Sequence, residues 1–169
     1  MQIFNTICET IKTDRSSRYL FVVLVGILLS TVFLRMVNLD ADPVPWFTGE
    51  LGYQIDEGYK TLSPRNLYLY GTTHWNSADQ YTGWMKNSAM TQWPYYLSFK
   101  TFGEKLSSAR IVSIVYAVTF LIIAAFFLWQ RLPHKLAVFG ILLLATDPAL
   151  FLYSRSALFE TSIIFYVYA

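Results

Sequence analysis

The sequence predicts an all-α, polytopic membrane protein with a folded outer loop carrying juxtamembrane helices. Three observations carry that reading. Of the 169 residues, 54% are hydrophobic, 18% aromatic and only 14% charged, a balance unlike that of a water-soluble domain. The apolar residues gather into uncharged runs, and the mean hydropathy is +0.38. The 13 basic and 11 acidic residues form no basic block, so a nucleic-acid partner is not expected. The single cysteine, Cys8, excludes an internal disulfide and a multi-thiolate metal site.

Residues 1–18 are polar enough to form a cytoplasmic segment. Residues 19–34 (YLFVVLVGILLSTVFL) carry no charge, and twelve of the sixteen are Leu, Val, Ile or Phe. That run is worth about −4 to −7 kcal/mol on the translocon scale. The residues after it, Arg35, Met36, Val37 and Asn38, do not form a small-x-small cleavage site, so the run is expected to remain as an anchor. Residues 111–129 make a second uncharged span, about 28 Å of helix. Residues 136–152 make a third, interrupted by Asp147 and Pro148, where a kink or a helix end is expected. Residues 160–169 open a fourth span that covers only about half of a bilayer, which predicts an N-terminal piece of a larger polytopic protein.

Lys12, Arg15 and Arg18 before the first span, and Arg131 and Lys135 between the second and third, place the N-terminus and that turn in the cytoplasm. The expectation is a multi-pass protein of the plasma membrane. Residues 35–110 then lie outside, with seven basic, seven acidic and fourteen Trp, Tyr or Phe residues. So aromatic a segment is expected to fold, as short helices along the outer interface.

Within that loop Asp56 and Glu57 stand together in QIDEGYKTLSPRN. One reading is acidic residues at the start of a helix, favoured by its dipole. The other is a general base, since a carboxylate where lipid meets water is partly desolvated. Lys60 follows Asp56 by four residues and shares its helical face. Arg65 is half a turn out of phase and joins the same site only if Pro64 redirects the helix. Both cations also suit solvent or lipid headgroups. Glu160, in YSRSALFET five residues after Arg155, is a second acidic position expected on the same outer face, either as a cap or as part of a pocket for a phosphate and an acceptor hydroxyl.

Asp147, beside Pro148, is read as serving the backbone at a helix break. Asp40-Ala41-Asp42 has the shape of a sugar-nucleotide metal motif, but the chain has no room for the α/β domain that chemistry needs. His74 has no second histidine close by, and Trp46, Trp75, Trp84 and Trp93 suit an interfacial aromatic belt as well as a sugar platform. Phosphate-loop, dinucleotide, zinc-protease and serine-hydrolase motifs do not occur.

The ordered series NLDADP, DEGY with Arg65-Asn66, GTTHWN, TQWPYY, FGEKLSSARIVS and LLLATDPALFLYSRSALFET resembles the N-terminal third or so of membrane glycosyltransferases with a GT-C fold, the group of protein mannosyltransferases and aminoarabinose transferases. The resemblance implies a transferase moving a sugar from a polyprenyl- or dolichyl-phosphate carrier to a hydroxyl of a glycan, lipid or protein. It implies Asp56, with Glu57 beside it, at the position of the general base and Glu160 at the second acidic site. Lys60, Arg65 and Arg155 are the candidate substrate-binding cations. No nucleotide cofactor is implied. A divalent metal stays open, because GWMKNSAMTQWPYY lacks the glutamate of the metal-ligand stretch found in aminoarabinose transferases. The alternatives are a non-enzymatic or degenerate membrane subunit keeping the same fold and, ranked last, a transporter fragment. Oligomeric state is not legible.

Overall fold

Small side chains along the longest helix decide how the other helices pack. The protein is described by a computed structural model covering residues 15–39, 52–72, 89–157 and 159–168. The described residues form α1 (Arg15–Met36), α2 (Gly52–Tyr70), α3 (Ala89–Phe102), α4 (Leu106–Arg131), α5 (His134–Thr146), α6 (Pro148–Ser154) and α7 (Phe159–Tyr168). Along α4 every fourth residue from Ala109 is buried: Ala109, Ser113, Ala117, Leu121, Ala125 and Trp129. Four of these six are Ala or Ser, and small residues let neighbouring helices approach closely where lipid supplies no hydrophobic drive. A stripe with a spacing of four advances about 40° per step, so it winds about 200° around α4 between its ends.

The winding gives the two halves of α4 different partners. Near its start, Ala109, Val112 and Tyr116 pack with Tyr95 and Phe99 of α3, with Ala157 and with Phe165 of α7. Near its end, Ala125 and Trp129 pack with Leu24 of α1 and with Ala137 and Ile141 of α5. Leu121, Ala145 and Leu150 join the two halves.

Local chemistry sets the helix ends. Asn38 takes a left-handed φ of 48° just after α1, and the glycines after α2 and α3 do the same, Gly71 at 69° and Gly103 at 83°. The Gly71 N–H donates to the Leu67 carbonyl at 3.1 Å and the Gly103 N–H to that of Phe99 at 2.9 Å, closing each last turn. Asp147 accepts the Leu150 N–H at 2.7 Å, and Pro148 occupies the first position of α6. The break read from Asp147 and Pro148 is therefore a capped restart, with α5 and α6 bent by 55°.

Among the described residues two helices, α1 and α4, are long and apolar enough to cross a membrane, and the bent pair α5–α6 makes a third if counted as one span. The runs 19–34 and 111–129 are the interiors of these longer helices. Arg15, Arg18 and Arg131 thus sit on helical turns, where flanking segments were expected. The run 136–152 lies within α5 and α6, with its interruption at Asp147 and Pro148 as expected. Of the 160–169 run, α7 covers all but the last residue and begins at Phe159. In the 35–110 loop, α2 and α3 are the expected helices, although α2 runs for 19 residues straight through Pro64.

Candidate functional site

Arg110, in the first turns of α4, forms the most buried ionic contact among the described residues. Its Nε donates to Glu57 Oε1 at 2.9 Å and its Nη2 to Oε2 at 2.8 Å, a two-pronged pairing with both side chains 1% exposed. Its Nη1 donates to the carbonyl of Leu39, beyond the end of α1, at 2.5 Å. The Ala157 N–H, after α6, donates to Glu57 Oε1 at 2.6 Å. One carboxylate and one guanidinium thus join four separate stretches of chain. The Thr61 hydroxyl donates to the Glu57 carbonyl at 2.7 Å, one turn further along α2.

This geometry corrects the catalytic reading of Glu57. A carboxylate surrounded by three donors and shut off from solvent does not reach an acceptor hydroxyl, so its work is to hold α2 in place. Asp56 precedes it on α2, in the second turn of a helix that starts at Gly52, so the helix-start alternative also fails. Glu160 lies one residue into α7, three residues past Ala157. The bond between Glu57 and the Ala157 N–H therefore brings the two candidate acidic positions to neighbouring stretches of backbone. The side chains of Asp56, Lys60 and Glu160 lie outside the described residues, as do Asp40, Asp42 and His74.

The two candidate arginines have other employment. α2 continues through Pro64, and Arg65 pairs with Glu104 in the turn before α4. Arg155 caps the end of α1: its Nη1 donates to the carbonyls of Leu34 at 2.6 Å and Arg35 at 3.1 Å, and its Nη2 to those of Val37 at 2.7 Å and Asn38 at 3.3 Å. These are the carbonyls that a helix end leaves without partners, at the negative pole of its dipole. Its expected role at a substrate phosphate gives way to that of a cap.

Arg110 and Arg35 are the residues that sequence reasoning missed. Each is a single charge at the border of an apolar run, a signal for an ionisable group held at membrane depth, but each reads equally well as the first polar residue outside it. Arg35 is 1% exposed and donates from Nε to Ser154 Oγ at 2.8 Å, from Nη2 to the Ala145 carbonyl at 3.2 Å and from Nη1 to the Thr31 carbonyl at 3.5 Å. Its guanidinium carbon stands 4.9 Å from the centre of the Phe151 ring. Among the described residues no three His, Cys, Asp or Glu side chains gather as metal ligands. No family model, curated protein or solved structure matches this chain.

Proposed function

We propose that the chain forms the N-terminal part of a GT-C-fold membrane glycosyltransferase, which moves a sugar from a polyprenyl- or dolichyl-phosphate carrier to an acceptor hydroxyl on the outer face of the membrane. The observation that carries the reading is the buried Glu57–Arg110 pair with its bond to the Ala157 N–H. It fixes the turn of α2 that bears Asp56 beside the stretch leading to Glu160, at one end of the apolar helices. A general base needs such fixed placement, since a displacement of about 1 Å costs about a hundredfold in rate.

In this reaction Asp56 takes the proton of the acceptor hydroxyl as its oxygen attacks the sugar C1. The new glycosidic bond forms as the bond from C1 to the phosphate oxygen breaks, with inversion, and the lipid phosphate leaves with the electron pair. Lys60, one helical turn after Asp56, is the cation this reading assigns to that charge. No nucleotide is consumed, because the carrier phosphate is already the leaving group.

The second reading, a non-enzymatic subunit, is favoured by the internal use of Glu57, Arg65 and Arg155. One variant separates the two. Asp56→Asn in the full-length protein is expected to abolish sugar transfer from a lipid-phosphate donor while membrane expression is unchanged. Undiminished turnover removes Asp56 from the reaction, and no transfer by the unmodified protein favours the subunit.

A further inference from the structure

A groove of about 620 Å³ runs between α1 and α5. Val23, Gly26, Ser30 and Thr31 line it from α1, Leu142 from α5 and Phe151 from α6. Gly26 and Ser30 are four residues apart and share a face of α1, the small-xxx-small spacing at which membrane helices approach closely. Nothing inside the chain uses the bareness of Gly26, since a Cβ there would meet nothing within 4 Å. Glycine weakens a helix relative to alanine, so its presence here points outside the chain.

Two hydroxyls in the groove lack partners. Thr31 is only 5% exposed, yet its hydroxyl makes no hydrogen bond among the described residues, and neither does that of Ser30. Thr119 and Thr146 show the ordinary arrangement in an apolar helix, each donating to the carbonyl four residues back at 2.7 Å. A hydroxyl at hydrocarbon depth is costly while unbonded, so the groove calls for an occupant that brings a donor or acceptor as well as apolar surface. An acyl chain brings neither. A hydroxyl both donates and accepts, so it can pair with its own counterpart on a second copy, which an ionised carboxylate or an ammonium cannot. Val22 and Phe33 are exposed on the same face, before Gly26 and after Ser30. One copy therefore presents both the hollow and the side chains to fill it, as a two-fold contact requires. The α1 wall runs from Val23 to Arg35, twelve residues or about 18 Å of helix. That length suits a crossing at small residues, where helices meet at about 40° and touch over only a few turns.

We propose that this groove is a self-association site, at which α1 of a second copy crosses α1 at Gly26 and Ser30 and brings its own hydroxyls to those of Ser30 and Thr31. Both copies insert in the same sense, so the two helices run parallel about an axis along the membrane normal. The proposal stands apart from the transferase reading, and its test does not use activity. The full-length protein is made without other cysteines, in a Cys8→Ser background, and oxidised mildly in its membrane. Ser30→Cys is expected to give a disulfide-linked dimer. Val25→Cys is not, because Val25 is also exposed but lies about 140° around the helix from Ser30. In lipid vesicles, association read by energy transfer between labelled copies is expected to weaken about tenfold with Gly26→Ile, which overfills the contact. It weakens about threefold with Ser30→Ala, which stays small and loses the hydroxyl. Ser30→Ala and the disulfide carry the test if Gly26→Ile does not fold. A Ser30→Cys protein that stays unlinked overturns the proposal, whether lipid or another helix then fills the groove. So does equal linkage through Val25→Cys, which is chance collision, and so does a folded Gly26→Ile protein that associates as well as the parent. A disulfide from Ser30→Cys to a different protein also overturns it and assigns the groove to that partner.

Discussion

Glu57 and Arg110 show how burial changes what a charge is worth. An exposed pair such as Arg65–Glu104 contributes about 0 to 1 kcal/mol, because water screens it. With both partners 1% exposed, removing one strands the other in low dielectric, at a cost of about 3 to 5 kcal/mol. Glu57→Ala and Arg110→Ala are each expected to lower the thermal midpoint in detergent sharply, whereas Glu57→Leu with Arg110→Met restores most of it. A double variant as unstable as either single one would show that the hydrogen bonds to Leu39 and Ala157, more than the charges, hold the site together. At this scale the sequence was only half legible. The neighbouring acidic residues drew attention to this turn of α2, but nothing local tells that the Glu57 carboxylate is buried. That is decided by a guanidinium 53 positions along the chain.

Helices were legible where apolar runs made them and obscure where tertiary contacts did. The interiors of α1 and α4 follow from uncharged stretches, and the α5–α6 break follows from the pairing of a capping residue with proline. The passage of α2 through Pro64 does not, because proline costs about 3 kcal/mol inside a helix and is ordinarily read as its end. Here Pro64 is fully buried, and the helix is fastened before it, by Glu57 to α4 and by the Ser63 hydroxyl to Gln92 of α3 at 3.2 Å, and just after it, by Arg65 to Glu104. The α6 cap offers a cleaner test of element energetics. Asp147→Ala removes the bond to the Leu150 N–H and is expected to cost about 1 kcal/mol, with Asp147→Asn largely preserving stability. Equal losses in the two variants would mean that charge, and not capping geometry, holds the bend.

Taken whole, the bundle has two chemically different ends. At one, the Ser17 hydroxyl meets His134 Nδ1 at 2.9 Å, and the His134 ring stacks on Trp129 at 4.1 Å with the planes 8° apart. These contacts gather Arg15, Arg18, Arg131 and Lys135 around the starts of α1 and α5, so the two helices run in the same direction. At the other end Leu39, Glu57, Arg110 and Ala157 are joined, and acidic and basic residues mix. The clustering of like charge was legible in the sequence; that one histidine would draw the ends together was not, since a stack and a hydroxyl contact leave no periodic trace. The asymmetry predicts orientation, because basic residues in short loops stay on the cytoplasmic side. Lys105 and Lys135 are both exposed and flank the 26 residues of α4, about 39 Å apart along its axis. In a Cys8→Ser background, Lys105→Cys is expected to react with a membrane-impermeant maleimide on intact cells, and Lys135→Cys only after permeabilisation. The reverse pattern would put Asp56 on the cytoplasmic face and end the outer-face reaction proposed for it. Labelling of both without permeabilisation would mean that α4 lies outside the bilayer.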